Sequence, residues 1–220
     1  AQGEDEAIAQ GGKVLGLEAK TRGGRAVLDL AYADLHPRAH GLGIRRGVLF
    51  DLLYGRLQRS PATVVTDSEI IDVVREHGRA VVVDKALTRH GPFDLAVIAD
   101  GAHSAIRRRL MPQTYQKVYA WGCIWTTVKD SAGLDTGLLR QRVDGTRVMM
   151  GLLPVGNGEL TLYWSVPTAE LAPEVPLDLA GLQRTATTLW PEAAGIVADA
   201  VGANDFARAT YRNVALPRWN

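Results

Sequence analysis

The sequence predicts a mixed α/β protein, with an α/β pattern in its first half and an antiparallel sheet in its second, and three observations carry that prediction. The uninterrupted apolar run Leu95-Ala96-Val97-Ile98-Ala99 ends on Asp100-Gly101, as expected of a strand covered on both faces in an α/β sheet. Beyond Pro112 the pattern turns to extended segments, and Trp and Tyr become frequent. Those segments are punctuated by Asp144-Gly145 and Asn157-Gly158, dipeptides that readily supply the positive φ of tight hairpin turns.

Taken in order, residues 14–30 form two weakly alternating segments around Gly23-Gly24 and predict a hairpin. A loop follows over 32–43, in which Pro37 holds His36 in extended geometry. Val48, Leu49, Leu52, Leu53 and Leu57 recur at helical spacing, so 47–58 is read as an amphipathic helix entered through Arg45-Arg46. Residues 64–76 and 79–84 read as strands, the second through Val81-Val82-Val83. After the 95–99 strand, the Ser104 hydroxyl is placed to cap a helix running to Leu110 by accepting from a first-turn amide. Strands are then expected over 117–128, 138–143, 146–153 and 160–166, helices over 177–189 and 192–201, and a last extended segment over 207–214. The expected division is 1–112, 113–206 and 207–220, the last as a return strand toward the first domain.

Composition narrows the function classes. With 220 residues, 46% hydrophobic and 22% charged, the chain is long enough to bury a sizeable core and is not of the disordered class. A formal charge of +1 gives no field that would recruit nucleic acid or an anionic membrane, and small-molecule partners are favoured. Cys123 is the lone cysteine, and no apolar stretch approaches the roughly 18 residues of a membrane span, so a cytoplasmic protein is expected. The sequence starts without Met on what reads as the end of a helix, which leads us to expect an internal piece of a longer protein.

Strand, Asp-Gly turn, Ser cap and a following Arg bring a carboxylate and helix-initial amides to the carboxyl end of a sheet strand, where open α/β sheets bind ligands. A capped strand-to-helix connection with Asp100 as turn former accounts for the same spacing. The run from Asp94 to Arg107, Asp-Leu-Ala-Val-Ile-Ala-Asp-Gly-Ala-His-Ser-Ala-Ile-Arg, resembles the Asp-Gly motif of class A flavoprotein monooxygenases, the family of p-hydroxybenzoate hydroxylase. That resemblance implies an FAD-binding Rossmann-like domain, present here in part, joined to an antiparallel-sheet substrate domain. It also implies roles for Asp100, Gly101, Ser104 and Arg107 in binding FAD and NADH or NADPH. The stretch from Gly43 to Leu53 resembles the family's Arg-x-x-Leu-x-x-x-Leu helix, so that Arg46 would contact FAD; a solvated arginine is the plainer alternative. Met150 to Gly158 with Tyr163-Trp164, and the terminal Leu216-Pro217-Arg218-Trp219-Asn220, are similar to further family segments. No G-x-G-x-x-G precedes the hairpin and no Gly-Asp-Ala follows Asn220, and the family's frequent Trp-Arg-Gly stands here as Trp121-Gly122-Cys123.

By the family's layout one face of the antiparallel sheet covers the substrate, and Trp125, Arg142, Arg147 and Met149 are the expected lining, a cation there suiting a phenolate or carboxylate. Large aromatics on the 117–128 strand are equally explained as core. The resemblance implies an FAD-dependent monooxygenase that hydroxylates a small aromatic substrate with NAD(P)H and O2. The alternatives are a non-catalytic remnant or binding module of the same fold, or a flavin-dependent halogenase, whose Trp-x-Trp-x-Ile-Pro pattern is absent. No metal site is expected from His36 and His40, which Pro37 places on a loop; Ser104 lacks a G-x-S-x-G context; Arg107-Arg108-Arg109 reads as a solvated helix face.

Overall fold

A computed structural model describes the backbone of residues 2–218, with side chains from Glu6 onward. In chain order it comprises α1 (Gln2–Gln10), β1 (Gly12–Val14), β2 (Gly16–Thr21), β3 (Ala26–Ala31), β4 (Gly41–Gly43), α2 (Arg46–Gln58), β5 (Ile70–Glu76), β6 (Arg79–Asp84), β7 (Arg89–Phe93) and α3 (Ala105–Leu110). There follow β8 (Tyr115–Val118), β9 (Trp121–Lys129), β10 (Leu138–Asp144), β11 (Val148–Gly156), β12 (Glu159–Pro167), α4 (Leu179–Leu189), α5 (Ala194–Ala203), β13 (Ala207–Ala209) and β14 (Arg212–Ala215). Two compact units result: Ala1–Ser60 with Ala120–Thr210, and Pro61–Tyr119 with Tyr211–Asn220.

The first unit is built on a seven-stranded sheet of order β13-β9-β12-β11-β10-β2-β3. The predicted hairpins and meander are present, and burial alternates along β12 as period-two patterning requires. Ile124, Met150, Leu162 and Trp164 face one side and pack with Leu182, Ala186 and Leu189 of α4 and Ile196 and Val197 of α5. Each such fully buried aliphatic side chain contributes about 1.5–3 kcal/mol of hydrophobic stabilisation. Helix α4 starts at Asp178, whose side chain accepts from the Gly181 amide at 2.8 Å. The ribbon β1–β4 crosses β11 at Pro154, where a Cβ on Gly43 would lie 1.8 Å from the Pro154 carbonyl oxygen. Only glycine permits that approach of one backbone to another.

The first-half hairpin β2–β3 does not stay with the residues that follow it. Strand β2 pairs in parallel with β10, Ala19 opposite Gln141, so residues of the expected first domain complete the antiparallel sheet of the second. The chain therefore changes unit at 60/61, 119/120 and 210/211, whereas the sequence placed divisions at 112/113 and 206/207.

The second unit holds the meander β5-β6-β7 and the two-stranded ribbon β8–β14. The β5–β6 turn is His77-Gly78, with φ of 48° and 81°, the doubly positive geometry that suits a two-residue hairpin. Asp84 closes the next turn: its carboxylate accepts from the Thr88 amide at 2.8 Å and lies 3.0 Å from His90 Nε2. Helix α3 packs on β5, tied by Arg109 to Asp72 at 2.8 Å.

Four expectations are corrected. Residues 95–99 form no ladder among the described residues, and Leu95 and Val97 are 77% and 78% exposed. An apolar run becomes a buried strand only where neighbouring strands take up its backbone groups, and β5-β6-β7 is a separate sheet. The strand expected over 117–128 breaks between Val118 and Trp121, because β8 pairs with β14 and β9 with β12 and β13. The segment 207–214 divides for the same reason. Extended chain before Ile70 likewise lies outside any ladder, and β7 adds a strand the sequence did not suggest.

Candidate cofactor site and the open sheet face

In the second unit Asp100 and Gly101 end the extended apolar run, and Gly101 takes φ +84°, a conformation L side chains rarely adopt. The buried Ser104 hydroxyl accepts from the Arg107 amide at 2.9 Å, the cap its position predicted. Arg107 then turns back on the loop, donating from its two terminal nitrogens to the carbonyls of Gly101 at 3.0 Å and Ala102 at 2.7 Å. Both arms of this guanidinium are thus engaged by backbone oxygens, making Arg107 a staple of the Asp-Gly loop.

Asp100, Gly101, Ser104 and Arg107 line one cavity of about 510 Å³, whose remaining wall is apolar and includes Leu95, Val97, Val214 and Leu216. Four of the five residues expected at a cofactor are therefore together. Arg46, the fifth, opens α2 in the other unit, exposed and without an ion pair among the described residues, while its neighbour Arg45 lies 3.4 Å from Glu159.

Two observations test whether a flavin dinucleotide fits the cavity. A Cβ added to Gly101 would meet nothing within 4 Å, so the loop backbone is open to close approach. Arg107 Nε is buried without a hydrogen-bond partner, a donor that a ligand oxygen would satisfy. A flat wall of aliphatic side chains with one exposed carboxylate suits a partly apolar ligand carrying hydroxyl donors. The residues present fit one portion of FAD.

The residues expected to line a substrate separate onto different surfaces of the first unit. Register places Trp125, Tyr163, Gly151 and Gln141 in one row on the face turned away from α4 and α5. Met149 shares that side, its amide donating to Ser165 Oγ at 2.8 Å. Arg142 lies on the other side, opposite Met150, with its guanidinium 4.6 Å from the Trp190 ring centre and 3.2 Å from Glu18. Arg140 stacks on the same indole at 5.2 Å. Glu18 sits among Lys20 and Arg142, whose hydrogen bonds hold its carboxyl below the ordinary range against the opposing effect of burial. Arg147 is exposed at the β10–β11 turn.

Tyr163 and Gln141 were not anticipated on the open face. Tyr163 lies flat over Gly151, where a Cβ would come 2.1 Å from its ring, and its hydroxyl accepts from Gln141 Nε2. Burial pushes its phenol up to about 12, so it stays neutral and keeps its own proton to donate. The period-two pattern announces that Tyr163 and Trp164 face opposite ways, but only the β11–β12 register shows that glycine opposes the tyrosine. Among the described residues no cluster of three potential metal ligands occurs, and no helix is long and apolar enough to cross a membrane.

No protein-family model matches the chain, and no curated protein sequence does. Solved structures do share its fold. The tetrameric form of 2-methyl-3-hydroxypyridine-5-carboxylic acid oxygenase superposes with a TM-score of 0.77 at 18% identity, over 99% of this chain and 57% of that one. HpxO of Klebsiella pneumoniae, solved with FAD and uric acid, gives 0.69 at 17%, over 96% and 54%. PqsL of Pseudomonas aeruginosa, described as a probable FAD-dependent monooxygenase, gives 0.74 at 20%, over 93% and 57%. The chain spans little more than half the length of these proteins, and the likeness establishes a mixed α/β fold of the kind flavin monooxygenases use.

Proposed function

We propose that this chain is part of an FAD-dependent monooxygenase that hydroxylates a small aromatic substrate using NADH or NADPH and O2. The observation that carries the reading is the stapled Asp100-Gly101 loop at the wall of a partly apolar cavity, in a fold shared with flavin oxygenases. FAD, when bound, supplies two-electron redox chemistry and the activation of O2, which protein side chains do not offer.

The chain's own residues bind, orient and exclude water. Ser104 and Arg107 hold the loop so that Asp100 faces the cavity and Gly101 leaves its backbone approachable. Arg46, beside the start of α2, adds a cation where a pyrophosphate is favoured. On the open sheet face Trp125 and Met149 give a ring an apolar bed, and the neutral Tyr163 hydroxyl donates to an oxygen on that ring. Of the two arginines expected at the substrate, Arg142 acts as a support for Trp190, and Arg147 lies exposed at the β10–β11 turn, outside the row of Trp125 and Tyr163.

The test is purification of the longest product its gene encodes, with the visible absorbance of bound flavin and aromatic-stimulated oxidation of NADH or NADPH as readouts. A protein that purifies without flavin, gains none on addition of FAD and oxidises neither nucleotide would overturn the proposal. The second reading, a scaffold of this fold that holds no flavin, draws on the exposed 95–99 run and would then stand.

A further inference from the structure

On the helix-covered side of the seven-stranded sheet, the first unit opens into a separate pocket of about 230 Å³. Its floor is the core itself, through Ile124, Trp164 and Leu182, which are 1%, 6% and 7% exposed. Val166 and Leu177 complete the apolar wall, and Trp121 stands at the rim where β9 begins. An apolar cavity of about 150 Å³ admits benzene, so this volume accepts one six-membered ring with a short substituent.

Three charged residues stand at the same pocket: Arg147, Glu170 and Asp178. Asp178 is already engaged, since it caps α4 at Gly181 and lies 3.8 Å from Arg184. Arg147 and Glu170 are exposed and form no ion pair among the described residues, with each other or with any other group. One free cation and one free anion beside a single-ring apolar floor match a ligand that carries both charges on a short arm. A ligand of one sign leaves the other rim charge unanswered.

We infer that this pocket binds a free α-amino acid with a single aromatic ring. The ring rests on the Ile124–Trp164 floor beside Leu177, the carboxylate meets Arg147, and the ammonium meets Glu170. The site lies on the opposite side of the sheet from Trp125 and Tyr163 and does not rest on the flavin reading.

The probe is L-phenylalanine, titrated into the purified chain and followed by indole fluorescence and saturation-transfer NMR. Saturable binding is expected with Kd on the order of 1 mM. On the unmodified chain, 3-phenylpropionate and phenethylamine, each lacking one charge, bind about threefold or more weakly than L-phenylalanine. Arg147→Gln weakens L-phenylalanine and 3-phenylpropionate but not phenethylamine; Glu170→Gln weakens L-phenylalanine and phenethylamine but not 3-phenylpropionate. Both are surface changes, and far-UV circular dichroism checks that each variant folds. Absence of saturable binding, equal binding of all three compounds, or variants that fail to give this crossed pattern would overturn the assignment, whatever the outcome of the flavin assays.

Discussion

Replacing Arg107 by lysine isolates the staple of the Asp-Gly loop, because charge is kept and the forked geometry is lost. In the native loop one guanidinium donates to the carbonyls of Gly101 and Ala102 at 3.0 and 2.7 Å. A lysine ammonium is a point donor on a flexible stem and cannot reproduce both bonds. Hydrogen bonds from a charged group contribute about 1.5–3 kcal/mol each. These two are solvent-accessible, which brings the pair down to about 2 kcal/mol of local stability. If loop opening becomes easier by that amount, amide hydrogen exchange over 101–107 accelerates about 30-fold. Exchange in β9, β11 and β12 is unchanged, because those strands belong to the other compact unit. Native-state hydrogen exchange read by mass spectrometry resolves such a segment. Unaltered exchange at 101–107 in a folded Arg107→Lys protein would refute the claim that Arg107 positions the loop, and would return its guanidinium to the role of a ligand contact.

Three further outcomes are expected. Gly151→Ala forces Tyr163 off its bed, since the new Cβ would fall 2.1 Å from the ring, and should cost about 1–3 kcal/mol in denaturant unfolding; an unchanged midpoint would contradict the close approach. The Asp84 carboxyl is depressed below 3.8, first by its hydrogen bond with His90 and also by the Thr88 amide. Its stabilising contribution is therefore present above the ordinary pKa and lost as pH falls through the lower folded value. Asp84→Asn should unfold more easily than the parent at pH 7, with the gap closing in acid, and an equal gap at both pH values would remove the linkage. For Tyr163, raised by burial to about 12, the unfolded chain releases its phenolic proton first. Stability falls as pH climbs from the ordinary 10.0 toward that value. Tyrosinate absorbance should lose its highest-pH step in Tyr163→Phe, and a profile that keeps it would assign that step elsewhere.

Local chemistry was legible in the sequence where it rests on neighbouring residues. Asp144-Gly145 and Asn157-Gly158 announced the meander, and Ser104 its own cap, because turns and caps depend on a few adjacent dihedrals. The α4 and α5 positions followed from periodicity in the same way. What escaped was set by partners far along the chain. The 95–99 run has the composition of a buried strand, yet composition cannot say whether strands stand beside it. Arg142 and Met149 both suited a lining, but their sides of the sheet are fixed by the pairing of β10 with β11. Arg107 matched a ligand contact by its place in the motif, and only its χ angles show that it folds back onto Gly101 and Ala102.

The parallel pairing of β2 with β10 has a mechanical consequence. Leu138 sits opposite Gly16, and six successive residue pairs follow the same offset, so the two halves of the first unit are laced directly to each other. Residues 61–119 are an excursion from that unit and not the cord that holds it. A protease that nicks the excursion would leave those halves joined without a covalent link, and a short linker in its place would preserve the sheet. The excursion, in turn, recovers β14 as a mate for β8 only after the chain has run through the whole first unit, so this ribbon closes later in synthesis than the seven-stranded sheet.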